Sequence, residues 1–154
     1  MTKLTHPVHW LAFGLGSGLA PKAPGTFGTL AALPLGIAFM YLLPSAWFLA
    51  LIIVATWLGV WFCDKTSKDM GVHDHPGIVW DEWVGIWMTL WLVPLTWWTP
   101  IVAFILFRFF DIIKPWPIKW LDQRVHGGLG IMIDDMVAAI PAWLILQGLV
   151  WWLL

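Results

Sequence analysis

Apolar runs broken by short polar clusters set the pattern of this chain, and residues 30–43, 45–63, 78–93, 100–113 and 130–154 each read as a helical segment. Ahead of them residues 8–20 are apolar as well, but Gly14, Gly16 and Gly18 interrupt the run and it is too short to span a bilayer. A short N-terminal interfacial or re-entrant helix is the expectation there. Residues 21–29 read as a loop: Pro21 and Pro24 block helix, Gly25 and Gly28 free the backbone, and Thr29 is placed to cap the helix that follows. Several runs fall short of the ~20 residues a perpendicular helix needs, so tilt, local thinning or extension into the headgroups is expected. The fold class is therefore all-α, a polytopic membrane helical bundle of about five spans in a single domain covering residues 1–154.

Composition supports that reading. Of the 154 residues 60% are hydrophobic and 11% charged, with a mean hydropathy of +0.81, too apolar for a soluble domain of this size. A net charge of −1 points to neither nucleic acid nor a polybasic surface anchor. The lone Cys63 excludes an internal disulfide and any four-thiolate metal site, and reads as packing. The first residues lack a signal-peptide pattern, so the spans are expected to carry the targeting.

Charge placement orients the chain. All eight basic residues precede the first span (Lys3, Lys22), follow the second (Lys65, Lys68) or surround the connection between the fourth and fifth (Arg108, Lys114, Lys119, Arg124). Residues 43–45, residues 93–99 and the last four positions carry no charge. The positive-inside rule then predicts a cytoplasmic N-terminus and five crossings, with Trp97, Trp98, Trp151 and Trp152 in the outer aromatic belt and Trp116 and Trp120 in the inner one. The nine acids fall on the same cytoplasmic side: Asp64, Asp69, Asp74, Asp81, Glu82, Asp111, Asp122, Asp134 and Asp135.

Two adjacent pairs, Asp81-Glu82 and Asp134-Asp135, each open an apolar run. An uncompensated charge in hydrocarbon costs roughly 2.5–3.5 kcal/mol at mid-bilayer, so the pairs call for a partner, and a hard divalent cation such as Mg2+ or Mn2+ shared between them would serve. The plainer reading is that they are first-turn acids favoured by the helix dipole. Arg108, Asp111 and Lys114 stand at i, i+3 and i+6, near one helical face. They suit two cations gripping a substrate phosphate with Asp111 holding them or serving the chemistry, or else a salt bridge with Lys114 snorkelling to the headgroups. Thr26 and Thr29, in Gly25-Thr26-Phe27-Gly28-Thr29, offer hydroxyls and backbone amides to an anion, though a plain turn fits equally. His73-Asp74-His75 reads as a solvated turn near the metal, and Trp80, Trp83, Trp87 and Trp91 as a lipid-facing or packing ridge. Gly85 reads as a point of close helix contact. The chain carries no Cys-x5-Arg loop, Asp-x-Asp-x-Thr strand end, Walker A motif or Gly-x-Ser-x-Gly elbow.

Taken together, residues 16–21 running into 24–30, His73-Asp74-His75-Pro76 with residues 78–82, residues 107–111 with Lys114-Pro115-Trp116-Pro117-Ile118, and residues 127–135 resemble the bacterial phosphatidylglycerophosphatase A family. The resemblance covers residues 10–139, with four motifs in the family's order. Two departures are mild: Thr29 stands where the family often has Ser, and Ala139 where Gly usually follows the acidic pair. The resemblance implies a Mg2+-dependent, multi-pass enzyme of the bacterial inner membrane. It would remove the terminal phosphate of phosphatidylglycerophosphate at the cytoplasmic side, among membrane lipids. Asp81, Glu82, Asp134 and Asp135 are then the expected metal ligands, and Asp81, Asp111 and Asp135 the expected catalytic acids. Thr26, Thr29, Arg108 and Lys114 are the expected phosphate contacts. A cation transporter or channel with an intramembrane acidic site is the alternative, and it would spread its acids through membrane depth.

Overall fold

The computed structural model describes residues 6–71, 75, 77–116, 118–125 and 127–154, and every regular element among them is helical. In chain order these are α1 (Pro7–Ala12), a 3-10 turn (Ser17–Leu19), α2 (Pro24–Leu42), α3 (Ser45–Met70), α4 (Trp80–Leu90), α5 (Thr99–Ile113), α6 (Ile118–Arg124) and α7 (Gly127–Leu153). Three of them, α2, α3 and α7, are long and apolar enough to cross a membrane. With 11 and 15 residues, α4 and α5 fall short of the ~20 that a perpendicular crossing takes.

Helix α4 is the centre, packed against α2, α3, α5 and α7. The tryptophan stripe that the sequence left between lipid and packing turns inward: Trp83 and Trp87 are buried, and indole N–H groups of the stripe donate to backbone carbonyls around it. Trp80 Nε1 reaches Ala55 O at 2.9 Å, Trp87 Nε1 reaches Ala32 O at 3.0 Å, and Trp91 Nε1 reaches Ser45 O at 3.0 Å. A buried indole usually takes such an acceptor; Trp83 Nε1 is buried without one. These bonds tie the short α4 to α2 and α3. Gly85 provides the close contact expected of it, since a Cβ there would lie 2.4 Å from the Phe107 ring on α5.

The largest departures from the sequence reading fall at α2, α3 and α6. Helix α2 begins at Pro24, because Ala23 takes a left-handed backbone (φ 48°) that turns the chain just ahead of a proline suited to a first helical position. Residues 24–29 are therefore helical and not a loop, and Thr29 does not cap: its hydroxyl donates to Gly25 O one turn back, at 2.7 Å. Helix α3 continues about two turns past residue 63 to Met70, carried by the ion pairs Lys68–Asp64 (2.9 Å) and Lys65–Asp69 (3.1 Å) at i, i+4, and ends on Gly71 at φ 67°. Residues 118–124, read as loop, form α6, on which Arg124 lies 4.9 Å from the Trp120 ring centre.

A short helix is present where the N-terminal expectation put one. The short α1 leads through left-handed residues 14–16 into the 3-10 turn, and His9 Nε2 sits 2.9 Å from Asp69 Oδ2 on α3. Of His73-Asp74-His75, the first two lie outside the described residues; His75 Nδ1 accepts from Gly77 N at 2.9 Å and its ring stands 5.4 Å from that of Phe13.

Candidate active site

Three helix ends and the third turn of α7 meet at one end of the bundle. The first turn of α4 brings Asp81 and Glu82, α7 brings Asp134 and Asp135, the last turns of α5 bring Arg108, Asp111 and Lys114, and the first turn of α2 brings Thr26. Asp81 and Asp135 are 5% and 1% exposed, so these carboxylates have left water almost completely.

Among the described residues, Asp81, Glu82 and Asp135 form a group able to hold a metal ion, with one oxygen from each lying within 4.8 Å of the others. Asp81 Oδ1, Glu82 Oε2 and Asp135 Oδ2 are buried with no hydrogen-bond partner in the protein. Buried acceptors of that kind cost about 1–3 kcal/mol each, more for charged groups. Three converging carboxylates, each with an oxygen that lacks a partner, fit a divalent cation of the Mg2+ type.

Asp134 goes elsewhere. Successive residues of a helix point about 100° apart, so when Asp135 faces α4 its neighbour turns toward α5, where it forms an ion pair with Lys114. Burial works against the charge on Lys114, but the bond to Asp134 and the fields of Asp135 and Asp111 outweigh it, and its pKa is held above the ordinary lysine value.

Asp111 is engaged by both cations. It accepts from Arg108 Nη1, and its Oδ1 lies 3.9 Å from Lys114 Nζ. Arg108 also reaches Thr26 Oγ1 at 3.4 Å and stands 3.9 Å from Glu82 Oε1, which links the cationic group to the carboxylate cluster. The structure thus brings Asp81, Glu82, Asp111, Asp135, Arg108, Lys114, Asp134 and Thr26 into one constellation. Thr29, fully buried and bonded to Gly25 O, is turned into its own helix.

Sequence reasoning missed Asp64. From α3 its Oδ1 accepts from Gly128 N at 3.2 Å, supplying an acceptor to the first turn of α7, the helix that carries Asp134 and Asp135. The pairing spans 64 positions, and only a carboxylate facing a Gly-Gly helix start hints at it.

A buried carboxylate cluster flanked by two fixed cations, at one end of a bundle with membrane-length apolar helices, defines a site suited to metal-assisted chemistry on a phosphate ester carried by a lipid. Comparison with known proteins points to a lipid phosphate as well. The chain belongs to the phosphatidylglycerophosphatase A family, whose model matches residues 10–150. It is 50% identical to the phosphatidylglycerophosphatase A of Escherichia coli K12, over 90% of this chain and 80% of that one. Its identity to the protein of that name from Haemophilus influenzae is 48%, over 98% and 93% of the two chains. A putative phosphatidylinositol-3-phosphatase of Bacteroides thetaiotaomicron is 38% identical, over 90% of each. No solved structure matches.

Proposed function

We propose that this chain hydrolyses the terminal phosphate monoester of phosphatidylglycerophosphate, so that water is consumed, the P–O bond to the glycerol headgroup breaks, and phosphatidylglycerol and inorganic phosphate leave. Family membership and the names of its relatives support the substrate. The observation that carries the chemistry is the set of three convergent buried carboxylates with unbonded oxygens beside Arg108 and Lys114.

In this reading Asp81, Glu82 and Asp135 hold Mg2+, which supplies charge neutralisation and Lewis acidity to phosphoryl transfer. Arg108 and Lys114 grip the phosphate oxygens with charge-assisted hydrogen bonds. Asp111 fixes Arg108, and Asp134 fixes Lys114, so that both donors are oriented before substrate arrives. Thr26 holds the second guanidinium nitrogen.

The placement in the membrane belongs to the same proposal. Helices α2, α3 and α7 cross the bilayer, α4 and α5 cross a locally thinned or headgroup-extended region, and the N-terminus and the site lie at the cytoplasmic face of the bacterial inner membrane. The acyl chains of the substrate stay among the lipids while the headgroup reaches the helix ends.

The test is phosphate release from phosphatidylglycerophosphate by the purified protein in mixed micelles, with Mg2+ and with a chelator, beside phosphatidic acid and a phosphoinositide as competing substrates. Turnover that needs the divalent ion and favours the glycerophosphate headgroup is expected. Cation flux in liposomes without lipid turnover would instead support the transporter.

A further inference from the structure

Gly25 occupies the second position of α2, and its φ is not among the left-handed glycines of the chain. Backbone conformation therefore does not call for it, and a glycine at a helical position weakens the helix relative to alanine. What it does is leave space. A Cβ at residue 25 would lie 3.1 Å from Arg108 Nη1, 3.2 Å from Arg108 Nη2 and 3.1 Å from Glu82 Oε1. Neither side chain is loose: both are 14% exposed, Arg108 is held by Asp111 and Thr26, and its Nε is buried without a partner.

We propose that Gly25 is a specificity-determining residue that keeps the face of the Arg108 guanidinium open, so that a phosphate oxygen enters between the first turn of α2 and Arg108. The inference rests on the phosphatase reading above. Glu82 Oε1 borders the same gap, and its repulsion of the anion is offset by the divalent cation that the carboxylate cluster is proposed to hold. A methyl group at residue 25 fills the gap and presses on Arg108 and Glu82 by a few tenths of an ångström, and so removes access while every charge of the site is kept.

The experiment compares wild type, Gly25→Ala and Gly148→Ala, the last being a glycine of α7 whose added methyl meets nothing within 4 Å. Two readouts are taken: phosphatidylglycerophosphate turnover in Mg2+, and the thermal midpoint in detergent with and without inorganic phosphate. Gly25→Ala is expected to raise KM about tenfold or more, the scale of one lost charge-assisted contact, with a smaller change in kcat. Its midpoint without phosphate should stay close to that of wild type, since Arg108 and Glu82 need give by only a few tenths of an ångström, while the rise that phosphate gives wild type is lost. Gly148→Ala should keep both wild-type kinetics and the phosphate response. A Gly25→Ala protein with unchanged KM and an unchanged phosphate response overturns the proposal, and so does one whose midpoint falls, because the loss would then reflect damaged packing. Should wild type release no phosphate from the lipid, the function reading fails by itself, and the phosphate-induced midpoint shift still decides the role of Gly25.

Discussion

Removing Lys114 takes the cation from a carboxylate that is 4% exposed, while the lysine itself keeps 26% of its side-chain surface in contact with solvent. Breaking a buried ion pair from one side costs about 3–5 kcal/mol, and the partial exposure of Lys114 places this pair at the lower end, about 3 kcal/mol. Replacing both partners by apolar residues of similar size is commonly neutral or stabilising. Lys114→Met and Asp134→Leu should therefore each destabilise strongly, while the double variant returns close to wild type, so that the coupling energy in the cycle approaches the combined cost of the two single variants, about 6 kcal/mol. Unfolding in a denaturing-detergent titration, followed by tryptophan fluorescence, measures all four proteins. Activity separates the two roles given to Lys114: the double variant regains stability but not phosphate release if the ammonium also grips the substrate. Single variants within about 0.5 kcal/mol of wild type would refute the pairing as a structural element, and full turnover by the double variant would refute the phosphate contact.

Asp135→Asn and Glu82→Gln should each weaken divalent-ion affinity by at least about 100-fold, measured as the Mg2+ concentration for half-maximal turnover; unchanged Mg2+ dependence in both would remove them as ligands. Asp64→Ala withdraws the acceptor that α3 offers to Gly128 N, and should cost about 1 kcal/mol in the same unfolding titration with little change in KM. Gly85→Ala drives a methyl to within 2.4 Å of the Phe107 ring and should destabilise by about 1–3 kcal/mol, an effect that Phe107→Leu in the same chain relieves.

Helix class and order were legible because hydrocarbon-length apolar runs have few alternatives, and the runs at residues 45–63, 100–113 and 130–154 start or stop within about three residues of α3, α5 and α7 at all but one boundary. Polar helix was harder to see. The last two turns of α3 carry Asp64, Lys65, Lys68 and Asp69, which a hydropathy reading assigns to solvent, while their i, i+4 pairs and the contact between His9 and Asp69 favour helix. At residues 24–29 the reading failed for the opposite reason. Proline and glycine read as breakers, yet proline at a first helical position breaks nothing, and both glycines stand where another helix or side chain comes close.

The candidate site shows the same division between what the sequence carries and what packing adds. Charges at the ends of apolar runs must gather where water or one another can be reached, so Asp81-Glu82, Arg108, Asp111, Lys114 and Asp134-Asp135 could be grouped before any coordinates. Their individual partners could not, because these depend on helix phase. Asp134 and Asp135 are chemically identical neighbours, and about 100° of rotation sends one to Lys114 and the other to Asp81 and Glu82. That phase is set by how α7 packs on α4 and α5, helices distant from it in sequence, with Met132 and Ala138 of α7 fully buried. The apolar core therefore does more than hold the bundle: by fixing the rotation of α7 it divides an adjacent pair of acids into one that orients a cation of the protein and one that joins Asp81 and Glu82 in the carboxylate group.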